Sequence, residues 1–131
     1  MAAKDPASCP CDSGKPYPQC CGLFHAGAVP ATATELMRSR YSAYVLGLET
    51  YLRQSWHPSS CPADLGLDET PMRRWLGLTI RRSDEQDATH ATVEFIARFK
   101  INGRAYRLHE TSRFVREDGR WWYLDGDIHA A

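Results

Sequence analysis

Four of the five cysteines fall within the first 21 residues, as Cys9-Pro10-Cys11 and Cys20-Cys21. Four thiolates delivered by so short a segment match the tetrahedral soft donor set of a structural zinc site, with no coordination position left open. Cys9 and Cys11 flank one residue, so both sulfurs can face one ion from a single extended turn. Cys20 and Cys21 are adjacent, which demands a sharp bend, and Gly22 behind them can adopt positive φ. Gly14, Pro16 and Pro18 preset the connecting loop, and Lys15 offsets part of the charge of a four-thiolate centre. His25 is the alternative fourth ligand in place of one cysteine. Two disulfides or four free thiols are the competing arrangements, and in a reducing compartment a dense cysteine cluster favours metal over either. A catalytic zinc is disfavoured too, because such sites keep three protein ligands and a water. Cys61, alone in a loop, reads as a bystander thiol.

A second group of reactive side chains lies far along the chain: Glu110, Asp125 and Asp127, with Arg38, Arg40 and His57 as cations to oppose them. Whether these groups meet depends on the elements that carry them. Thr32 and Glu35 make a capping box that opens a helix. Its apolar positions, Leu36/Met37, Tyr41, Tyr44/Val45 and Leu48, form an amphipathic stripe. Gly47 is placed to end it, with a shorter helix from Leu48 to Trp56 stopped by Pro58. Thr70-Pro71 signals a further short helix through Trp75. Then the period switches to two: a strand around Leu78 and Ile80, a polar turn from Ser83 to Asp87, and a clear strand from Ala91 to Ile101. Asn102-Gly103 is a strong hairpin signal. A third strand follows from Arg104 to Glu117, then an Asp118-Gly119 turn and a fourth strand from Arg120 to Asp127. Helices followed by an antiparallel meander make an α+β fold, one curved sheet wrapped on the helices.

A two-residue turn at Asn102-Gly103 sets Phe99 against Tyr106, Ala97 against Leu108 and Phe95 against Glu110. The inward face of the third strand then carries Tyr106, Leu108, Glu110, Ser112 and Phe114. If Asp118-Gly119 is equally tight, Asp127 faces Glu110 and Asp125 faces Ser112, gathering three carboxylates on a concave apolar surface. Buried carboxylates require partners or protons, expected from Arg38, Arg40 or His57. Such a group is either a structural ion network, or a ligand pocket with a carboxylate base; a bulge would instead turn the carboxylates outward. Glu94, Arg98, His109 and Arg113 fall on the opposite face and read as a solvated surface. Trp121-Trp122-Tyr123 puts large aromatics on both faces of the fourth strand.

The segment from Cys9 to Gly22, with its internal Ser13-Gly14-Lys15-Pro16-Tyr17, resembles the SEC-C zinc motif at the C-terminus of the SecA translocation ATPase. Asp12 stands where that motif usually has glycine, and Asp tolerates the left-handed region better than most residues. In SecA the module contacts other proteins. A broader resemblance rests on Leu36 to Tyr44, Trp56-His57-Pro58, Trp75 to Leu78, Glu94 to Phe99, Glu110 to Phe114 and Trp121 to Gly126. Those segments are similar to the YchJ family of uncharacterised bacterial proteins. The resemblance implies a SEC-C-like knuckle, residues 1–28, before a cone-shaped nuclear transport factor 2-like (cystatin-like) domain, residues 29–131. That fold hosts isomerase-like enzymes and noncatalytic dimerisation domains alike, so a homodimer is among the states it allows, and the fold alone does not choose a function.

Sixteen basic and sixteen acidic residues cancel, so no global field steers the chain to nucleic acid or an anionic membrane. No apolar run reaches the roughly 18 residues of a membrane-spanning helix, and no secretory core is visible near Met1. These features place the chain in the cytoplasm with structural zinc on Cys9, Cys11, Cys20 and Cys21. The expected role is noncatalytic protein interaction through the knuckle. Small-molecule binding or catalysis in the cone interior, with Glu110 or Asp127 as base, is the alternative. Chelation is expected to loosen the first 25 residues and leave the cone folded.

Overall fold

Thr32 opens the longest helix as its sequence context requires: its hydroxyl accepts the Glu35 amide at 3.1 Å, and Glu35 reaches back to the Ala31 amide. The computed structural model describes residues 8–65, 67 and 73–129. A 3-10 turn, Tyr17–Gln19, and a short helix α1, Cys21–His25, form the knuckle. Helices α2, Ala33–Leu46, and α3, Glu49–Gln54, follow. Gly47 at φ 71° ends α2 in the left-handed region that a side chain would resist. Strands β1, Arg74–Glu85, β2, His90–Ile101, β3, Arg104–Glu117, and β4, Arg120–Ile128, form one antiparallel sheet in the order β1-β2-β3-β4.

Two elements differ from the sequence reading at their ends. Trp75 lies in β1 rather than at the end of a helix, while Thr70 and Pro71 lie outside the described residues. The expected turn at Ser83–Asp87 starts later, because β1 stays paired with β2 as far as Glu85.

The β2–β3 register is the one the Asn102-Gly103 turn dictates: Ile101 pairs with Arg104, Phe99 with Tyr106, Ala97 with Leu108 and Phe95 with Glu110. Between β3 and β4 the expected register fails. Phe114 still pairs with Tyr123, but Arg113 pairs with Asp125, so Leu124 is an extra residue on β4. One inserted residue exchanges the faces of everything beyond it. Asp125 and Asp127 therefore emerge on the outer face, where Arg113 Nε and Nη1 each donate to one of them at 2.6 Å. Glu110 is opposite Ile128, with Gly126 beside its carboxylate. The three carboxylates do not meet, and Glu110 alone stays on the concave side.

Helix α2 also departs from a simple amphipathic stripe. Ala33, Leu36, Met37, Ser39, Arg40, Tyr41, Ser42 and Ala43 are all buried, which describes a helix covered on most sides. The sheet covers one side and the knuckle another. Cys9, Cys11 and Cys21 share one apolar cluster with Leu36, Met37, Tyr41, Leu78 and Ala97. The knuckle is thus part of the main core, which changes the expectation that the cone would stay folded without it.

Past α3 the chain pairs with the outer side of β4. The Tyr123 amide donates to Ser55 O at 2.9 Å and the His57 amide to Tyr123 O at 2.7 Å. Arg120 donates to Gln54 O, and the Ser60 hydroxyl to Leu124 O.

Candidate metal centre

The sulfurs of Cys9, Cys11, Cys20 and Cys21 all lie within 4.8 Å of one another, and Cys11 Sγ is 3.6 Å from Cys20 Sγ. Four sulfurs held 2.3 Å from a central ion in a tetrahedron would stand about 3.8 Å apart. The cysteines are free thiols, so this proximity is not disulfide bonding. Cys9, Cys11 and Cys21 are buried and Cys20 is half-buried, leaving little room for a substrate to approach. The four can hold a metal ion, and the all-sulfur donor set suits zinc.

Local structure explains the convergence. Cys9 N donates to Lys15 O at 2.9 Å and Asp12 N to Cys9 O at 3.2 Å, which folds Cys9-Pro10-Cys11 into a tight loop. Asp12 takes φ 63° and Gly14 φ 85°, so Asp12 does fill the left-handed position where the resemblance expects glycine. Gly22 behaves differently from its expectation: it is helical, without positive φ, inside α1. What requires glycine there is approach, because a Cβ on Gly22 would sit 2.6 Å from Tyr17 O. Gly22→Ala is expected to push α1 off the 3-10 turn and lower stability by about 1–3 kcal/mol. A urea titration of the metal-loaded variant measures this; an unchanged midpoint would refute the packing argument.

Electrostatics within the cluster favour one charge. Hydrogen bonds from Cys11 and Cys21 hold the Cys9 thiol far below its ordinary range, against the opposing effect of burial, and Ser42 Oγ at 3.5 Å adds to them. Cys21 is pushed up by its neighbours Cys11 and Cys9 and by burial. A second buried thiolate beside the first is unfavourable unless a cation joins them, and a divalent ion supplies that charge. Ser13 Oγ lies 3.1 Å from Cys20 Sγ and can donate to it, as sulfur-directed partners do around such centres.

His25 is not gathered with the sulfurs. Its Nε2 is 2.8 Å from Ser39 O, an atom that can only accept, so that nitrogen carries the proton. Nδ1 then accepts from the Tyr17 hydroxyl at 2.5 Å. Both ring nitrogens are thus engaged, Nε2 tying the knuckle to α2 and Nδ1 tying α1 to the 3-10 turn. Arg38, expected in the cone, makes the same kind of tie: its Nη1 donates to Cys11 O at 2.7 Å. Asp12 completes the attachment by accepting the Leu78 amide of β1 at 3.0 Å. Ser42 and these ties were not anticipated, because they join segments far apart in sequence.

The cone interior is open. A cavity of about 710 Å³ is bounded by α2, β1 and the concave faces of β2 and β3, with Glu110, Arg40, Tyr44, Tyr123 and Trp75 on its wall. Ser112 donates to Glu110 Oε2 at 2.6 Å. Arg40 is 3% exposed, and its Nη1 donates to Leu52 O and Ser55 Oγ at 2.9 and 2.7 Å. Its guanidinium lies 4.4 Å from the Tyr123 ring centre and 4.8 Å from that of Trp56. Burial pushes Arg40 below its ordinary range, although guanidinium keeps its proton in proteins. His57 is outside the cavity, with Nε2 2.7 Å from Glu117 Oε2 and Nδ1 beside Ser59. Of the five pocket candidates, the fold brings only Arg40 and Glu110 to the cavity; Arg38, His57 and Asp127 serve elsewhere.

The profile of the middle, nuclear transport factor 2-like domain of YchJ matches residues 32–126. A UPF0225 protein of Ralstonia nicotianae is 62% identical over 93% of this chain and 92% of its own. A UPF0225 protein of Cupriavidus metallidurans is 60% identical over 97% and 93%. Among solved structures, a SEC-C motif containing protein from Rhodopseudomonas palustris superposes with TM-score 0.83 at 34% identity, covering 94% of this chain and 99% of that one. Another SEC-C motif containing protein, from Psychrobacter arcticus, gives 0.75 at 27% identity, covering 95% and 84%. No helix among the described residues is long and apolar enough to cross a membrane. With a cysteine knuckle fused to a four-stranded cone and these likenesses along nearly its whole length, the chain belongs to the YchJ (UPF0225) family.

Proposed function

We propose that Cys9, Cys11, Cys20 and Cys21 bind one structural zinc, and that the zinc-ordered knuckle, residues 1–28, presents a protein-docking surface on the cone, residues 29–131. The observation that carries this reading is the division of the knuckle into two sides. Its sulfurs point inward to the core, whereas Leu23 on α1 is 49% exposed and Val29 just beyond it 60%. Between this segment and Trp121, Trp122 and Tyr51 lies a cleft of about 670 Å³. An apolar edge beside an aromatic cleft is the composition that protein partners select. Reduced thiols suit a cytoplasmic protein. Purified protein should carry one zinc that survives gel filtration. Captures from cell extract with wild-type and Leu23→Glu/Val29→Glu baits, both zinc-loaded and equally stable, test the surface. Identical partner sets would defeat it.

A second reading rests on the open cavity. Glu110 is a carboxylate on a largely aromatic and aliphatic wall that also carries Arg40, Arg73 and Arg74, the arrangement of a small-molecule site with a few polar anchors. The fluorophore 1-anilinonaphthalene-8-sulfonate should enter the cavity of native protein. Blocking the wall with Ala97→Trp, while leaving the melting temperature within a few degrees, should abolish that signal. Unchanged fluorescence would rule the cavity out as a binding site.

A further inference from the structure

We propose that Glu94, His109 and His129 form a second metal site, for an exchangeable divalent first-row ion such as zinc, on the outer face of the sheet. The site lies on the opposite side from the cavity and is independent of the cysteine centre. Glu94 comes from β2 and His109 from β3; His129 directly follows β4 and is held there by its amide, which donates to His109 O at 2.8 Å. Three adjacent stretches of sheet backbone thus place one ligand each.

The donor atoms of the three side chains lie within 4.8 Å of one another. His109 Nε2 is 2.6 Å from Glu94 Oε2, and the two imidazoles stack with centres 4.1 Å apart and planes 15° from parallel. Adjacent ligands about 2.1 Å from a tetrahedral or octahedral ion stand roughly 3.0–3.4 Å apart. An ion that replaces the proton shared by His109 and Glu94 therefore needs that pair to open by less than one ångström and the His129 ring to turn out of the stack, so that both in-plane lone pairs meet at the ion. Thr111 Oγ1, 2.7 Å from His129 Nε2, can accept that N–H and leave Nδ1 as the lone pair. This is the partner that a metal-binding histidine ordinarily has on its second nitrogen.

The donor chemistry narrows the ion. Two imidazoles and one carboxylate suit zinc, nickel, copper or iron(II), whereas magnesium and calcium prefer oxygen alone. Glu94 and His109 side chains are 30% and 31% exposed, so an ion there would keep one or more coordination positions open to water. That distinguishes it from the closed, all-sulfur centre. The Glu94–His109 ion pair fixes two of the ligands, and the His109 O and Thr111 contacts bring the third, His129, against them. Glu94 and His109 belong to the surface that reads, from sequence alone, as merely solvated, and His129 carries no reading there.

Equilibrium dialysis of protein already carrying one zinc on its cysteines, against increasing zinc chloride, tests the proposal. Wild type should take up a second zinc, and the His109 and His129 ring signals should shift by NMR while residues 9–21 stay unmoved. His109→Ala and His129→Ala should each remove the second equivalent, and Glu94→Gln should weaken it by about 10–100-fold. His90→Ala, on the same protein surface but outside the cluster, should leave it intact. All four side chains are partly or fully solvent-facing, so thermal melts should confirm that the variants fold. Saturation of wild type at one zinc, or a second zinc that persists in the His109→Ala/His129→Ala variant, overturns the site.

Discussion

With the proposed ion on the four cysteines, removing it by chelation or by Cys9→Ser is expected to unfold the whole domain in one transition. A module merely tethered to the cone would fray alone. Here Cys9, Cys11 and Cys21 sit in the same apolar cluster as Leu36, Met37, Tyr41 and Leu78. Once the ion leaves, buried thiols must take protons or repel one another, inside the packing that supports α2. Structural zinc contributes about 10–16 kcal/mol to folding in small peptides. Even half of that approaches the total stability of an ordinary domain, about 5–15 kcal/mol. Acid should act in the same direction, because protons compete with the metal for thiolate, so release should be favoured as pH falls. The measurement is parallel melting by far-UV circular dichroism and by the near-UV signal of the packed aromatic residues, among them Trp75 edge-on to Tyr41 at 5.7 Å. With chelator, both should fall together and at lower temperature. Retention of the sheet signal at the original midpoint, with only residues 8–28 losing NMR dispersion, would show that the knuckle folds apart from the cone.

Arg40 carries the second large effect, and two substitutions separate its charge from its volume. The side chain joins α2 to the end of α3 through Leu52 O and Ser55 Oγ and fills the space between Trp56 and Tyr123. Arg40→Ala deletes all of this and leaves a void against two aromatic rings, a loss of about 3–5 kcal/mol. Arg40→Met keeps most of the volume and removes a charge that was expensive to bury. By the logic of buried ionic groups it should cost about 2 kcal/mol less than alanine, or be nearly neutral. Chemical denaturation of the two variants decides. Equal losses would mean that the guanidinium's hydrogen bonds, not its bulk, hold α3 in place.

The parts of this architecture that can be read along the chain are those fixed by neighbours in sequence. Thr32 and Glu35 cap α2 because capping needs only a four-residue window, and Asn102-Gly103 sets the β2–β3 register because a tight turn leaves no freedom. The four cysteines converge within one short loop for the same reason. Asp118-Gly119 looks equally decisive and sets the first four pairs of β3–β4, yet the bulge at Leu124 reverses the faces beyond it. Nothing in the composition announces that bulge, since Leu124 is as acceptable in a regular strand as in an irregular one. Arg38 and His25 were visible as ligands or cations, but their partners, Cys11 O and Ser39 O, are backbone atoms of remote segments. Only the packed chain identifies such partners. The same holds for Arg40, whose aromatic enclosure draws on Trp56 and Tyr123 from two different parts of the sequence.

The two margins of the sheet have a consequence for self-association. On one side, Ser55 and His57 occupy backbone groups of Tyr123, and Gln54 and Ser60 engage Arg120 and Leu124. On the other, Asp12 occupies the Leu78 amide in the middle of the first strand's apolar half. An incoming strand would therefore meet interrupted rows of donors and acceptors at either border. Fibrillar growth by backbone annealing needs a long, vacant border that repeats from copy to copy. This molecule covers one of its own and interrupts the other with segments that also assemble its core, so the same contacts that fold it also restrain it from polymerising.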